Sequence, residues 1–361
     1  MNAMFNINSI INAPPFSLKK KDKKKLYSDV LPELTLHHYL NCSQYHKILD
    51  VLGYDVEKKL NVEDIPPLPV RLFKDYDLVS VEDSEIVKKM ISSGTSGQNV
   101  SKISLDRYTA TSQTKVLAKI LADFIGTKRL PMLIIDTKAV LKNRNSFSAR
   151  GAGILGFSMF GYDVTYALNE DMGIDFDRVK LFCRKHDGKN ILVFGFTSII
   201  WEHFHKVLIN DKSKIKLENA IMIHGGGWKK LQNESVDSQT FRNKIEISCA
   251  IKKMYNYYGM VEQTGSIFME CDSGYFHCSN YSDISICDNN FSDCGKNETG
   301  LIKLASLLPY SYPGHILLTE DLGNIIGEDD CPCGRLGKYF QIHGRVVDAE
   351  IRGCSDTYES T

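Results

Sequence analysis

The sequence has no excess of charge of either sign. Its 44 Lys and Arg are matched by 44 Asp and Glu, so it lacks the basic footprint of a dedicated nucleic-acid binder, and a small ligand or a protein partner is expected instead. It also lacks a long apolar run. The longest strongly apolar stretch, Ile191 to Trp201, has 11 residues, whereas a helix needs about 20 to cross a bilayer, so no membrane span is expected. The N-terminus, Met1 to Ile11 followed by Pro14-Pro15, shows no apolar signal core with a small-residue cleavage site, which predicts a cytoplasmic location. No internal repeat is visible, and the only low-complexity segment is a short lysine run. No Gly-Lys-Ser/Thr closes any glycine-rich loop, which excludes a Walker A site.

What remains is an ordinary globular composition. The chain has 361 residues, of which 43% are hydrophobic and 24% charged, and this length predicts about two domains. There are ten cysteines. In a reducing compartment, thiols that stand close together point to metal binding or catalysis, whereas single ones such as Cys42, Cys183 and Cys249 read as small buried hydrophobes.

Three segments are expected: an N-terminal helical segment and linker (1–85), an α/β core (86–345) and a C-terminal tail (346–361). The basic run Lys19 to Lys25 reads as a solvated helix start. The spacing in Leu36 to Leu40 and Tyr45 to Leu49 predicts amphipathic helix, with histidines that are packed or at the surface. Asp64 to Val70 contains three prolines and reads as a linker. Strands are predicted at Leu130 to Thr137, Asn190 to Phe196, Asn219 to His224 and Lys252 to Tyr258, with helices over Thr109 to Ile125 and Phe176 to His186. This alternation predicts a largely buried sheet. After Gly265 short strands and turns predict a smaller β-rich lobe.

Several motifs could carry chemistry. Ser92 to Gln98 interleaves hydroxyls with glycines, so that backbone and side-chain donors can converge on phosphate; the alternative is a flexible polar turn. Gly151-x-Gly153-x-x-Gly156 matches a dinucleotide fingerprint, but no strand runs into it, and close helix packing or a pocket wall is the better reading. His224-Gly225-Gly226-Gly227 closes a strand with bare backbone against which a flat ligand can lie. Glu262, just past the end of another strand, has the chemistry to hold Mg²⁺ on a phosphate. Asp321 can accept ribose hydroxyls and Arg345 can reach the sugar or a phosphate, with a surface salt bridge as the plain alternative for each. Cys331-Pro332-Cys333-Gly334 is a tight knuckle which, with Cys271 and either His277 or Cys278, supplies a tetrahedral Zn²⁺ set; reduced buried thiols are the alternative.

The order of these motifs resembles the adenylate-forming ligase superfamily. Leu68 to Lys74, Arg150 to Gly161 and Arg352-Gly353-Cys354-Ser355-Asp356 resemble the LuxE acyl-protein synthetases within it. The resemblance runs from about Pro66 to the end. It implies that Ser93, Gly94, Thr95, Ser96 and Gly97 cradle the ATP phosphates. It further implies that Gly225, Gly226, Gly227, Tyr258 and Gly259 flank adenine, that Glu262 binds Mg²⁺, and that Asp321 and Arg345 hold the ribose. The Cys331–Cys333 knuckle with its upstream Cys and His is also similar to phenylacetate ligase-like members. Only 16 residues follow Arg345, too few for the mobile C-terminal domain of typical members.

The expected reaction is ATP-dependent activation of a carboxylic acid, by resemblance a fatty acid, to acyl-AMP. The acyl group then passes to Cys354 as a thioester, for delivery to an acyl reductase or another acceptor. Cys354 is suited to this by its polar terminal setting and by Arg352, which favours the thiolate, although Asp356 opposes it. The alternatives are a ligase acylating coenzyme A or a carrier protein, and a non-catalytic nucleotide-binding subunit.

Overall fold

The computed structural model describes residues 7–58, 62–92, 100–141, 149–210 and 215–346. The described residues of 1–90, 99–124 and 259–349 form one compact unit, and those of 91–98 and 125–258 form a second.

The first unit opens with α1 (Asn8–Ile11), α2 (Lys20–Asn41) and α3 (Ser43–Val51). The Asn280 amide fastens the segment ahead of α2: its Oδ1 accepts from Ser17 N at 3.2 Å and Leu18 N at 3.0 Å, and its Nδ2 donates to Pro14 O at 2.8 Å. β1 (Leu68–Pro69) pairs in parallel with a late strand through Leu68 and Leu317. The proline-rich stretch expected as a linker is therefore part of a sheet, and Leu68 is buried. Then come α4 (Leu72–Asp75), β2 (Ile86–Ile91), β3 (Lys102–Asp106) and α5 (Arg107–Ile125), with β2 and β3 forming a two-stranded sheet. Tyr45, Leu49, Phe73, Ile103, Tyr312 and Leu317 form a core that joins α3, α4 and β3 to the late strands.

The second unit is a parallel sheet. Its strands are β4 (Leu130–Thr137), β5 (Gly161–Leu168), β6 (Ile191–Phe196), β7 (Ala220–Gly225) and β8 (Lys253–Tyr258), in the order β8-β7-β6-β4-β5. Every residue of β6 is buried, as are seven of the eight in β4; such unbroken apolar runs are what a parallel strand covered on both faces requires. α6 (Ala149–Ser158), α7 (Phe176–Lys185), α8 (Thr197–Ile199), a π-helical segment (Ile200–His205), α9 (Lys206–Asn210) and α10 (Ser238–Cys249) complete the unit. Gly151, Gly153 and Gly156 lie inside α6 rather than on a strand-to-helix turn; a Cβ on Gly153 would stand 3.1 Å from the Phe196 ring, whereas one on Gly156 would meet no atom within 4 Å.

The chain returns to the first unit with β9 (Phe268–Glu270), β10 (Phe276–His277), β11 (Ser282–Cys287), β12 (Gly300–Ser306), β13 (Ile316–Glu328) and β14 (Lys338–Arg345). They form an antiparallel sheet in the order β11-β12-β13-β14-β10-β9. Among the described residues no helix is long and apolar enough to cross a membrane.

Candidate active site

In the second unit, β5 lies on one side of β4, and β6, β7 and β8 follow on the other. Ligands in such sheets bind at the carboxyl ends of the strands, around the point where the order reverses. Thr137, Phe196, Gly225 and Tyr258 end β4, β6, β7 and β8 at that edge.

The glycine run is held by its neighbours. Thr197 Oγ1 donates to Gly225 O at 3.2 Å and lies 3.0 Å from His224 Nδ1. Burial, and then the charge of Arg242, lower His224 to about 3, so the ring is a neutral support. A Cβ on Gly225 would lie 2.4 Å from Tyr257 Cε1, and one on Gly226, which has φ +72°, would lie 3.2 Å from Phe196 Cδ1. A Cβ on Gly227 would meet no atom within 4 Å. The strand end is thus a backbone shelf against an aromatic ring. Phe157 stacks on Phe194 with centroids 4.3 Å apart and packs 4.9 Å from Tyr257. Tyr257, Thr197 and Phe196 were not singled out from sequence; their place at the carboxyl ends of β6 and β8, on either side of β7, appears only with the sheet order.

At the end of β4, Asp136 and Arg150 form a fully buried bidentate ion pair, with Arg150 Nε 2.7 Å from Asp136 Oδ2 and Nη2 bonded to Oδ1. It pins the start of α6 to the carboxyl edge, and removing either partner would strand a buried charge at a cost of about 3–5 kcal/mol.

In the first unit, Glu262 lies in the turn Val261–Gln263 and is 8% exposed. Burial raises its carboxyl above the ordinary range, against the opposing pull of the Ser101 hydroxyl and the Arg345 charge. A carboxylate so desolvated suits a group that gains a cation partner. Asp321 and Arg345 are register partners on β13 and β14, with Arg345 Nε 3.1 Å from Asp321 Oδ1. The structure thus brings together two residues that sequence had nominated separately. Gly259 follows β8, and a Cβ there would approach Ile267 to 3.0 Å.

The first unit also gathers Cys271, His277, Cys331 and Cys333, whose four candidate ligand atoms all lie within 4.8 Å of one another. Cys271 Sγ is 3.9 Å from Cys331 Sγ, and Cys333 Sγ is 3.3 Å from His277 Nε2. Sulfurs bound to one tetrahedral Zn²⁺ at ~2.3 Å stand ~3.8 Å apart, so the spacing fits. Burial, then the charges of Arg335 and Lys23, lower His277 to about 4, leaving its ring neutral. Burial acts to raise Cys333, but the Arg335 backbone N–H and the neighbouring thiols outweigh it and hold it below the ordinary range. Gly334, at φ +82°, closes the knuckle by donating its N–H to Cys331 O at 3.0 Å. Of the two residues that sequence left open, His277 joins the cluster, whereas burial pushes Cys278 up to about 12.

Ser93, Gly94, Thr95, Ser96 and Gly97, and the C-terminal Cys354, lie outside the described residues.

The acyl-protein synthetase (LuxE) family profile matches residues 3–361. The chain belongs to the LuxE family. It is therefore a ligase of the acyl-protein synthetase type, and its chemistry is acyl activation. Among similar proteins are two long-chain-fatty-acid–luciferin-component ligases. The one from Vibrio harveyi is 24% identical over 96% of this chain and 90% of its own length. The one from Aliivibrio fischeri is 22% identical over 93% and 88%. The fold is similar to that of 2-hydroxyisobutyryl-CoA ligase, solved in an open conformation with 2-HIB-AMP and CoA, with a TM-score of 0.71 at 16% identity over 93% of this chain and 77% of that one. The LuxE-family core thus has the mixed α/β architecture of adenylate-forming ligases.

Proposed function

We propose that this LuxE-family ligase activates a long-chain fatty acid with ATP and carries the acyl group on its own Cys354. In the first step a carboxylate oxygen attacks the α-phosphorus; a new P–O bond forms, the bond to the β-phosphate bridge breaks, and pyrophosphate leaves. In the second, the Cys354 thiolate attacks the acyl carbon and AMP departs with the bonding electrons, leaving a thioester. An acyl reductase or another acceptor protein would receive the acyl group.

One observation carries the reading: a bare-backbone shelf, Gly225 to Gly227, ends a parallel strand with the Tyr257 ring against it. In this assignment the shelf, Tyr258 and Gly259 flank adenine, while Asp321 and Arg345 take the ribose hydroxyls. Ser93 to Gly97 donate to the phosphates. Glu262 would hold Mg²⁺, which when bound neutralises charge developing on phosphate.

The distribution of thiols supports Cys354 as acceptor. Among the nine cysteines in the described residues, Cys42, Cys249, Cys278 and Cys287 are buried. Burial raises Cys183 and Cys294, and Cys271, Cys331 and Cys333 form the metal-spaced cluster. Cys333, half-buried and held below the ordinary range, stands among the cluster's ligand atoms, whereas burial raises Cys42, Cys249, Cys278, Cys287 and Cys331 away from the thiolate that an acyl-accepting nucleophile needs.

For the cluster we propose structural Zn²⁺ held by Cys271, His277, Cys331 and Cys333. Such an ion would supply no reaction step; it would tie the loop after β9, together with β10, to the knuckle that precedes β14.

The test of activation is exchange of labelled pyrophosphate into ATP with a panel of carboxylic acids. Exchange that requires a long-chain acid supports the reading, and its absence with every acid would leave only a nucleotide-binding role.

A further inference from the structure

The lysine run at the start of α2 is not uniformly solvated. Lys23 is 3% exposed. Lys20, Lys23, Lys24 and Tyr27 recur at helical spacing along one wall of a cavity of about 280 Å³ within the first unit. β11, β12 and β14 contribute the facing polar groups Asp283, Lys303 and Lys338, and Ile65, Ile284, Leu304 and Ile316 add apolar surface. No residue assigned above to ATP, Mg²⁺ or Zn²⁺ lines it.

The charges in this cavity do not balance. Lys23 Nζ donates to Ser282 O at 2.7 Å and faces Asp283 Oδ1 at 3.3 Å. Lys338 Nζ donates to Asp283 Oδ2 at 2.9 Å and to Ile284 O at 2.7 Å. One carboxylate therefore serves two ammonium groups. The remaining lysines pair singly, Lys20 with Glu328 at 2.9 Å, Lys24 with Glu63 at 3.3 Å and Lys303 with Asp293 at 2.6 Å. Five lysines thus face four carboxylates, and the surplus positive charge falls on the most deeply buried group of them. An ammonium group removed from water without a full counter-charge is costly, so an anion that enters here is favoured. Each ammonium has three donors, and the hydrogen bonds use one of Lys23 and two of Lys338.

We propose that this cavity binds a monocarboxylate with a medium-length apolar body, its headgroup at Lys23 and Lys338 and its chain against Ile284, Leu304 and Ile316. A single negative charge matches the surplus, whereas a phosphate dianion exceeds it and leaves the apolar surface without a partner. A cavity of about 150 Å³ accepts benzene, so this one takes roughly a dozen non-hydrogen atoms, about the size of octanoate or decanoate. The site is separate from the one that activates the substrate acid, and the inference does not depend on that reading.

Calorimetric titration of the full chain with octanoate, without ATP, tests the proposal, with 1-octanol and inorganic phosphate as controls. Two variants accompany the wild type. Lys303→Gln removes the surplus charge without touching the buried trio, and Ala305→Trp fills the cavity from β12. The expected result is one octanoate per chain, bound at least tenfold more weakly by both variants, with thermal midpoints and pyrophosphate exchange near wild type. Both controls should bind at least tenfold more weakly than octanoate. Absence of octanoate binding, binding unchanged in Ala305→Trp, or equally tight binding of 1-octanol or of phosphate would overturn it.

Discussion

The Tyr257 ring lies so close over Gly225 that a Cβ on the glycine would stand 2.4 Å from the ring edge. Gly225→Ala must therefore displace the tyrosine or bend the end of β7. The expected outcome is a rise of about tenfold in the KM for ATP in pyrophosphate exchange, roughly 1.4 kcal/mol of lost binding, with the melting midpoint little changed. In Gly227→Ala a Cβ meets no atom of the protein within 4 Å, so the melting midpoint should not change, and a rise in the KM for ATP there reports the methyl group meeting the adenine.

Asp321 and Arg345 pair across β13 and β14, with Arg345 still 38% exposed at its side chain. Asp321 is itself buried, but Asn has the same shape and can still accept from Arg345 Nε, so Asp321→Asn should melt within a few degrees of wild type. Its effect should appear in nucleotide choice. Wild type should prefer ATP over 2′-deoxy-ATP, and the variant should lose most of that preference; an unaltered ratio of kcat/KM for the two nucleotides would remove Asp321 from the ribose contact.

The Cys271, His277, Cys331 and Cys333 cluster predicts about one zinc per chain by elemental analysis. Cys333→Ser should lose it. Chelation of the wild type should lower the melting midpoint by roughly 5–10 °C, as a loss of about 3 kcal/mol does in a unit of this size. Metal-free protein with an unchanged midpoint would leave the four residues as reduced thiols and a packed imidazole.

Acid should destabilise the protein through buried histidines. Burial lowers His224 and His315 to about 3 and takes His38 well below 6.5. In the unfolded chain each titrates near 6.5, so below that pH unfolding takes up protons. These three groups leave stability intact above pH 6.5 and reduce it as the pH falls; His224 and His315 together contribute about 2.7 kcal/mol per pH unit between ~6 and ~4.5, and His38 acts in the same direction. Urea midpoints at pH 7, 6 and 5 check the slope, and His315→Gln, which can keep the contact with Thr35 Oγ1 (2.9 Å in wild type), should reduce it by about 1.4 kcal/mol per pH unit.

Much of this architecture was legible in the sequence. β4, β6, β7 and β8 fall within one residue of the apolar runs that predict them, because a strand covered on both faces must be apolar throughout. What escaped depended on partners far along the chain. Lys23 looked solvated because its partner Asp283 is 260 residues away, and Leu68-Pro69 looked like a linker because the strand it joins begins at Ile316. Glu262, Asp321 and Arg345 were nominated by residue type and motif order. Tyr257 was not separated from its neighbours, since only its contact with Gly225 distinguishes it.

The central claim, that activated acyl groups pass to Cys354, is tested most directly by intact-mass analysis after incubation with ATP, Mg²⁺ and a long-chain fatty acid. Wild type should gain the mass of one fatty acid less water, release it with neutral hydroxylamine, and carry it on the terminal peptide. Cys354→Ser should retain pyrophosphate exchange and gain no hydroxylamine-labile mass, because a serine hydroxyl without a positioned base is a poor nucleophile at neutral pH. A Cys354→Ser protein that still carries a hydroxylamine-labile acyl group would contradict the account and place the acceptor on another cysteine.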